Sequence, residues 1–283
     1  MKPKLKRFET ANLFACPFCQ QALFLAENSL KCNNKHSFDL AKFGYVNLAP
    51  QVKQSKDYDK TNFQNRQLIL EAGFYQPILN KLLDILTSFP QHANLLDIGC
   101  GEGYYARNLQ AQMTDQHIYA FDLSKESIQL AAKSDHSMAV NWFVGDLAHL
   151  SIQDTSMDVI LDIFSPANYQ EFQRVLRKNG LLIKVIPNSQ HLQEIRGIVA
   201  DKLTNTNYSN QNILDHFKES FTIIDSYDVV STFSLKENEK MALLKMTPLL
   251  FNMDIEKIDW SSLHEITIAA KILVGQEKQT QKR

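Results

Sequence analysis

The stretch LLDIGCGEGYYA, residues 95–106, places three closely spaced glycines, Gly99, Gly101 and Gly103, between an apolar run and the start of a helix-like run. A glycine-rich turn between a strand and a helix lets a ligand approach the backbone near the helix N-terminus. The spacing G-x-G-x-G is one residue shorter than the dinucleotide pattern G-x-G-x-x-G. Asp97 adds a carboxylate that would repel a pyrophosphate and attract a cation. The stretch therefore predicts a site for a ligand that carries an ammonium and a sulfonium group.

Two further acids follow the next two predicted strands. Asp122 ends the segment HIYAFD, 19 residues after Gly103, where a carboxylate accepts hydrogen bonds from both ribose hydroxyls. Asp146 ends the third strand, where an acid commonly meets the adenine amino group. Each acid alone is weak evidence, because an aspartate at a strand end often caps a helix. Together with Asp97 and the glycines, they predict S-adenosylmethionine as the cofactor.

Strands and helices alternate from about Leu68 onwards, which predicts an α/β fold. The predicted strands are residues 94–99, 117–122, 139–146, 157–164, 180–187, 221–234 and 264–275. The predicted helices are residues 76–89, with Pro77 at the first position, 104–113, 124–134, with Ser124 as N-cap, and 169–178. This alternation is typical of a doubly wound, mostly parallel sheet covered on both faces, with the last two strands at its edge.

Three of the four cysteines lie within CPFCQQALFLAENSLKCNNKH, residues 16–36, which ends in a histidine. The spacing C-x2-C-x12-C-x3-H predicts a structural zinc site with Cys16, Cys19, Cys32 and His36 as its ligands. Three cysteines cannot all pair with one another, so a disulfide framework is the weaker interpretation. A module of about 45 residues has little core of its own, and a metal would hold it together.

Composition and charge narrow the class of protein. The chain has 283 residues, 44% hydrophobic and 22% charged, which is typical of a soluble globular protein. It contains no apolar run of the roughly 18 residues that a membrane span needs, and the basic N-terminal segment lacks the apolar core of a secretion signal. We therefore expect a cytoplasmic protein without a membrane partner. Residues 1–60 carry ten Lys and Arg against five Asp and Glu, and a basic end of this kind favours a nucleic-acid contact or is simply a lysine-rich surface.

The chain divides into three predicted parts. Residues 1–48 form the zinc module, residues 49–70 form a polar linker or loop, and residues 71–283 form the cofactor-binding domain.

The sequence resembles the bacterial 23S ribosomal RNA guanine-N1 methyltransferases nearly from end to end. The resemblance rests on CPFC…C…H, SFDLAKFGYVNL, EAGFYQP, LLDIGCGEGYYA, DTSMDVI, NSQHL and LLKMTP. It implies a class I, Rossmann-like methyltransferase with an N-terminal zinc module that takes part in RNA recognition. It also implies transfer of the methyl group of S-adenosylmethionine to N1 of a guanine in a 23S rRNA hairpin loop, and makes a homodimer plausible.

The resemblance adds two cofactor contacts that spacing alone does not indicate: Tyr75 in GFYQP and His191 in NSQHL. With the residues of the glycine loop and of the two strand ends, the predicted cofactor contacts are Tyr75, Asp97, Gly99, Cys100, Gly101, Gly103, Tyr104, Asp122, Leu123, Asp146, Leu147 and His191. Cys100 is expected to pack in the loop, without a redox or nucleophilic role.

The target base is expected beside the end of the fourth strand. Guanine N1 must lose a proton, and Asp162 is the candidate general base by position, although a surface or cofactor-side acid is the more favoured interpretation of this residue. Phe164 and Pro166 are the candidate pocket residues in the loop that follows. Two positions depart from the family: Asp162 stands where a basic residue can occur, and Arg66-Gln67 stands where relatives have two arginines.

Two other functions stay open at this point. One is a small-molecule methyltransferase whose zinc module has another task. The other is a cofactor-binding protein that has lost catalysis and serves as an RNA-binding or assembly module.

Overall fold

An eight-stranded sheet forms the centre of the protein. The computed structural model describes residues 3–52, 60–203 and 209–278. The strands are β1 (Phe24–Ala26), β2 (Ser29–Lys31), β3 (Ser37–Asp39), β4 (Tyr45–Asn47), β5 (Asn94–Ile98), β6 (His117–Asp122), β7 (Asn141–Val144), β8 (Met157–Ile163), β9 (Leu176–Pro187), β10 (Phe221–Ser234) and β11 (Glu265–Glu277). The helices are α1 (Pro3–Lys6), α2 (Lys60–Glu71), α3 (Gln76–Leu86), α4 (Tyr104–Gln112), α5 (Lys125–Ser134), α6 (Tyr169–Val175), α7 (Gln193–Ile198), α8 (Gln211–Ser220) and α9 (Glu237–Met246).

The strand order of the large sheet is β10-β11-β9-β8-β5-β6-β7-β4. The pairs from β9 to β4 are parallel, and β11 and β10 add two antiparallel strands at one edge. The connection from β5 leads to β6 on one side, whereas β8 lies on the other. This reversal of strand order next to β5 opens a crevice at the carboxyl ends of the strands, where ligands of such sheets bind.

The predicted α/β fold with a mostly parallel sheet is confirmed. All seven predicted strands are present, and Ser124 caps α5 by accepting a hydrogen bond from the Ser127 amide at 3.3 Å. Three helices differ from the prediction in their bounds. The helix α3 begins at Gln76, one residue before the predicted first position Pro77, and ends at Leu86; α4 ends at Gln112. The helix α6 ends at Val175 because the next residues already join β9.

The prediction of a linker over residues 49–70 is wrong for residues 60–70. Residues 60–71 form α2, which packs against α9 and buries Phe63, Ile69 and Leu70. Its polar composition hides the helix, because α2 is held by tertiary contacts and not by a wide apolar stripe. Residues 53–59 lie outside the described residues.

The N-terminal module is continuous with the large sheet. The strand β4 pairs in parallel with β7, although it belongs to the segment predicted as a separate module. Phe14 packs edge-on against Tyr119 at 5.2 Å and Phe143 at 5.1 Å between ring centroids, on one face of the sheet. The face of a parallel sheet must be covered, and the module supplies part of that cover.

A buried ion pair ties the first residues of the chain to this assembly. The Arg7 guanidinium donates to the Asp135 carboxylate and also to the carbonyl oxygens of Ala132 at 3.1 Å, Asp135 at 3.0 Å and Val140 at 3.3 Å. Asp135 accepts a further hydrogen bond from the Trp142 indole at 3.0 Å. A pair that is satisfied in this way is costly to break from one side, because the remaining charge stays buried.

We therefore expect Arg7→Met to lower the free energy of unfolding by about 3–5 kcal/mol. The neighbouring Lys6→Met, at an exposed position of α1, is the control and should change it by less than about 0.5 kcal/mol. Urea unfolding followed by tryptophan fluorescence measures both. Equal stability of the two variants would contradict this account of Arg7.

Candidate active site and zinc centre

The glycine loop between β5 and α4 follows a path that side chains would block. Gly99, Gly101 and Gly103 have φ angles of +61°, +56° and +79°. A Cβ atom at Gly99 would lie 2.3 Å from Ser165 Oγ, and one at Gly103 would lie 2.5 Å from the Trp142 ring. The loop therefore requires glycine both for its left-handed conformation and for its close neighbours.

Asp122, at the end of β6, holds this loop in place. Its carboxylate accepts hydrogen bonds from the Gly101 amide at 3.0 Å and from the Ser124 amide at 2.8 Å. The same carboxylate thus links the glycine loop to the start of α5. Each of its oxygens retains a lone pair for a ligand hydroxyl.

Two more acids are buried beside Asp122. Asp97 and Glu102 are each 1% exposed. Burial, reinforced by the nearby Glu102, raises the pKa of Asp97 to about 8. Asp97 Oδ2 is buried and has no hydrogen-bond partner among the described residues. Arg66 of α2 reaches the cluster, with Nε at 3.1 Å from Glu102 Oε2.

This donor set fits the predicted cofactor. Three buried or half-buried carboxylates face one arginine, so the cluster has room for a further positive charge. The orphaned Asp97 oxygen is a ready acceptor for an ammonium group. We therefore find that the residues present suit S-adenosylmethionine, which carries an ammonium and a sulfonium.

The other predicted cofactor residues have different environments. Asp146 is half-buried at the end of β7 and accepts a hydrogen bond from the Ala148 amide at 2.9 Å. Leu123 and Leu147, which follow the two strand-end acids, are half-buried. Cys100 is buried within the loop.

The Tyr104 side chain contacts α3. Its hydroxyl donates to Gln76 Oε1 at 3.0 Å, and its ring is buried among core residues. Like the glycines and acids of the loop, it does not line the cavity described next.

A cavity of about 740 Å³ adjoins the glycine loop. Ser165, which contacts Gly99, lies in its wall, and Arg66 lines it from the side of α2. Lys184 and Arg196 also line it, and none of its described lining residues is an aspartate or a glutamate. The cavity wall therefore carries basic side chains and no acidic one, although Arg66 and Lys184 are paired with Glu102 and Asp162, which lie outside the lining.

Three predicted residues meet in the cavity wall. The ring centroids of Tyr75, Phe164 and His191 lie 6.0 Å (Tyr75–Phe164), 6.3 Å (Tyr75–His191) and 5.7 Å (Phe164–His191) apart. His191 Nδ1 accepts a hydrogen bond from the Ala269 amide at 3.2 Å, and burial lowers the pKa of His191 to about 4. The imidazole is therefore neutral near pH 7, and its Nε2 carries the hydrogen.

The loop after β8 shapes the same wall. Phe164 has a φ angle of +54°, an uncommon conformation for a residue with a bulky side chain. Such strain is found where the surrounding structure fixes a side chain for a function. Pro166 follows two residues later and lines the cavity as well.

Asp162, the predicted base, does not line the cavity. It is fully buried at the end of β8, and its Oδ2 accepts a hydrogen bond from Lys184 Nζ at 2.7 Å. Burial raises the pKa of Asp162 to about 7, and the ion pair with Lys184 opposes this shift. The cavity wall therefore presents the lysine of this pair, whereas the carboxylate lies outside the lining.

Glu102 and Lys184 were not among the predicted site residues. Lys184 had a visible signal, because a charged residue interrupts the apolar run LLIKVIP of a strand that is buried on both faces. Glu102 had none, since an acid between two glycines of a turn is ordinarily exposed.

The four predicted zinc ligands come together in the N-terminal module. All four ligand atoms of Cys16, Cys19, Cys32 and His36 lie within 4.8 Å of one another. The sulfurs of Cys19 and Cys32 are 3.7 Å apart, and His36 Nδ1 lies 3.4 Å from the sulfurs of Cys16 and Cys32. A tetrahedral zinc ion with Zn–S bonds of about 2.3 Å separates its sulfurs by about 3.8 Å. The group therefore fits a closed, structural zinc site.

Comparisons with known proteins agree with both sites. Residues 14–56 match the zinc-ribbon family described as RlmA, N-terminal, and residues 95–180 match a methyltransferase domain. YxjB of Bacillus subtilis (strain 168), provisionally named a 23S rRNA (guanine-N1)-methyltransferase, is 34% identical, over 96% of this chain and 99% of its own. The 23S rRNA (guanine(748)-N1)-methyltransferase of Streptomyces fradiae is 24% identical, over 92% of this chain and 95% of its own.

A solved structure supports the fold. A provisionally named methyltransferase from Bacillus halodurans C-125 superposes with a TM-score of 0.50 at 16% identity, over 71% of this chain and 99% of that chain.

The glycine loop, its acids and the sheet order define a class I methyltransferase that depends on S-adenosylmethionine, joined to a zinc ribbon. The similarity to YxjB extends over almost the whole of both chains. The chain belongs to the family of 23S rRNA (guanine-N1)-methyltransferases. No helix in the described ranges combines the length and apolar character that a membrane span requires.

We expect one zinc ion per chain, and Cys19→Ser should lose it and lower the melting temperature, because the ribbon depends on a complete ligand set. Cys100→Ser removes the cysteine that lies outside the cluster and is the control for metal content. Mass spectrometry of the metal and thermal unfolding measure the two effects. Full zinc occupancy in Cys19→Ser would contradict the ligand assignment.

Cofactor binding should release a proton from Asp97. In the free protein this carboxyl holds its proton below about pH 8, and a bound cation favours the ionised form. Affinity for S-adenosylmethionine should therefore rise with pH up to about 7.5, above which the cofactor's own amino group begins to lose its charge. Calorimetry near pH 6.5, in buffers with different ionisation heats, measures the released proton while the cofactor's own amino group stays charged. Asp97→Asn should abolish the release, and an unchanged release in that variant would contradict the role of Asp97.

Proposed function

We propose that this protein transfers a methyl group from S-adenosylmethionine to N1 of one guanine in a hairpin loop of 23S rRNA. The observation that carries the proposal is the contrast between two adjoining regions. An acid cluster suited to a cationic cofactor lies beside a cavity lined by Arg66, Lys184 and Arg196, without an acidic residue in its described lining. A polyanion is the substrate that such a cavity favours.

In this proposal the glycine loop and the strand-end acids hold the cofactor. Asp97 binds the ammonium group, Asp122 the ribose hydroxyls and Asp146 the adenine amino group. Tyr75 and His191 pack at the boundary between the cofactor and the cavity. The remaining proposed contacts are Gly99, Cys100, Gly101, Gly103, Tyr104, Leu123 and Leu147.

The proposed chemistry is an in-line displacement. The cofactor supplies an electrophilic methyl group on a positively charged sulfur. The protein's task is to align guanine N1 with that methyl group, and alignment alone supplies much of such a rate enhancement. The base must leave its stack to enter the cavity, where Phe164 is placed to stack on it. Pro166 would restrict the movement of the same loop.

The zinc module, residues 1–48, is proposed to contact the RNA. Phe18 lies between the predicted ligands Cys16 and Cys19. Its side chain is 49% exposed and packs edge-on against His36 at 5.2 Å between ring centroids. An exposed aromatic ring on a basic segment suits a nucleic-acid surface. A methyltransferase domain over residues 71–283, a homodimer and a cytoplasmic location are proposed on the family resemblance.

The test is methyl transfer to unmodified 23S rRNA, followed by mapping with reverse transcriptase. Methylation of N1 blocks Watson–Crick pairing, so a strong stop is expected at one hairpin-loop guanine. Asp122→Asn should weaken cofactor binding about 10- to 100-fold, since it loses charge-assisted hydrogen bonds. Asp115→Asn, at an exposed position before β6, is the matched control and should retain full activity. Transfer to a metabolite extract and not to RNA would contradict the proposal, and so would cofactor binding without any transfer.

A further inference from the structure

Lys184 is a buried lysine whose ion pair leaves part of its hydrogen-bonding capacity unused. The side chain is 5% exposed, and its Nζ donates to Asp162 Oδ2 at 2.7 Å and to the Ser165 carbonyl oxygen at 3.0 Å. An ammonium has three N–H donors. The third has no acceptor among the described residues, and Lys184 lines the cavity.

The two partners fix the direction of this ammonium. Asp162 lies directly opposite Lys184 in the register of β8 and β9. Ser165 belongs to the loop that contacts Gly99 and so lies between the cavity and the glycine loop. The Lys184 ammonium is therefore held next to the place where the transferable methyl group and the target base would meet.

A contribution to stability does not by itself explain why Lys184 and Asp162 form a buried ion pair. Removing two charges from water costs more free energy than the attraction within most buried ion pairs restores. Apolar residues of similar size often give the folded protein the same stability or a higher one. Lys184 is flanked in sequence by apolar residues that fill the same sheet, so an apolar residue would suit this strand. A buried charge that faces a cavity is more often part of a functional site.

We propose that Lys184 is a catalytic residue that donates a hydrogen bond to O6 of the target guanine, with Asp162 as the positioning residue that holds it. The proposal rests on the proposed function. When the N1–H bond breaks, its electron pair stays on the base and spreads onto O6, and the proton leaves to water. The N1 lone pair then forms the new C–N bond, and the electrons of the S–C bond stay on sulfur. The ammonium stabilises the charge on O6 and keeps its own protons throughout the reaction.

The same contact selects guanine. Guanine presents an acceptor at O6, whereas adenine presents an amino donor at the equivalent position. A fixed N–H donor therefore favours guanine and meets another donor when adenine enters. Among the described residues, Asp162 is the anionic partner of this donor. The other titratable groups that line the cavity are Arg66, Tyr75, Tyr169, His191, Arg196 and His216.

The experiment compares single-turnover rates of methyl transfer for the wild-type protein and Lys184→Met, with saturating cofactor and RNA, between about pH 6 and pH 9. The loss of one preorganised donor to a developing oxyanion costs about 10²- to 10³-fold. We expect a loss of this size at pH 7, with a much smaller change in KM for RNA. The loss should shrink as the pH rises, because guanine then ionises without help. A merely structural role would give a loss that does not change with pH.

Two further variants serve as controls. Lys240→Met removes another buried lysine, which pairs with Glu237 at 2.9 Å and does not line the cavity, and it should leave the rate and the pH profile unchanged. Lys184→Arg keeps a charged donor and should retain a larger share of the rate than Lys184→Met, which also covers the case that the methionine variant does not fold. Asp162→Asn alone should lower the rate below that of the wild-type protein. Combined with Lys184→Met, it should lower the rate little further, because both residues act through the Lys184 ammonium.

The outcomes separate the two proposals. If the wild-type protein forms 1-methylguanosine and Lys184→Met has a rate within about threefold of it, or a loss that is equal at every pH, only the role of Lys184 is overturned. If the wild-type protein forms no 1-methylguanosine, the proposed function fails, and the role of Lys184 fails with it.

Discussion

The burial of three carboxylates around one glycine turn is the constraint on which the site depends. Asp97 and Asp122 lie at the carboxyl ends of the paired strands β5 and β6, and Glu102 lies in the glycine turn between β5 and α4. Each is costly to bury in its charged form. Asp122 offsets part of this cost through backbone amides, and Glu102 does so through Arg66, while one oxygen of Asp97 has no partner. A cationic ligand would complete the cluster, and the glycines of the turn are required by their left-handed φ angles and their close neighbours.

Charge is divided sharply between this cluster and the cavity beside it. Acids surround the glycine loop, and basic residues line the neighbouring space. Arg66 belongs to both, because it pairs with Glu102 and also lines the cavity. The helix that carries Arg66 therefore links the two halves of the site. A cationic cofactor and a polyanionic substrate can occupy adjacent places because each meets the opposite charge.

The sequence predicted the elements whose causes are local. Buried strands appear as apolar runs, the cap at Ser124 lies just before its helix, and four zinc ligands keep a spacing that only a few geometries allow. The positions of Asp97 and Asp122 in the fold were predictable, because each lies at the end of a strand that appears as an apolar run.

Elements with distant causes were not predictable in the same way. The helix α2 is mostly polar before residue 68 and depends on packing against α9, which lies more than 160 residues away in the chain. The strand β4 pairs with β7 across nearly 100 residues, so its membership of the large sheet leaves no local signal. The ion pair between Asp162 and Lys184 joins two strands, and the sequence indicates neither partner for the other.

The most direct measurement of the account is a crystal structure with S-adenosylhomocysteine and an RNA hairpin that carries the target guanine. The account predicts the amino-acid portion of the cofactor product at Asp97 and its ribose at Asp122. It predicts the guanine in the cationic cavity, with N1 facing the sulfur and O6 within hydrogen-bonding distance of Lys184. A guanine bound outside that cavity, or a cofactor product away from the glycine loop, would contradict it.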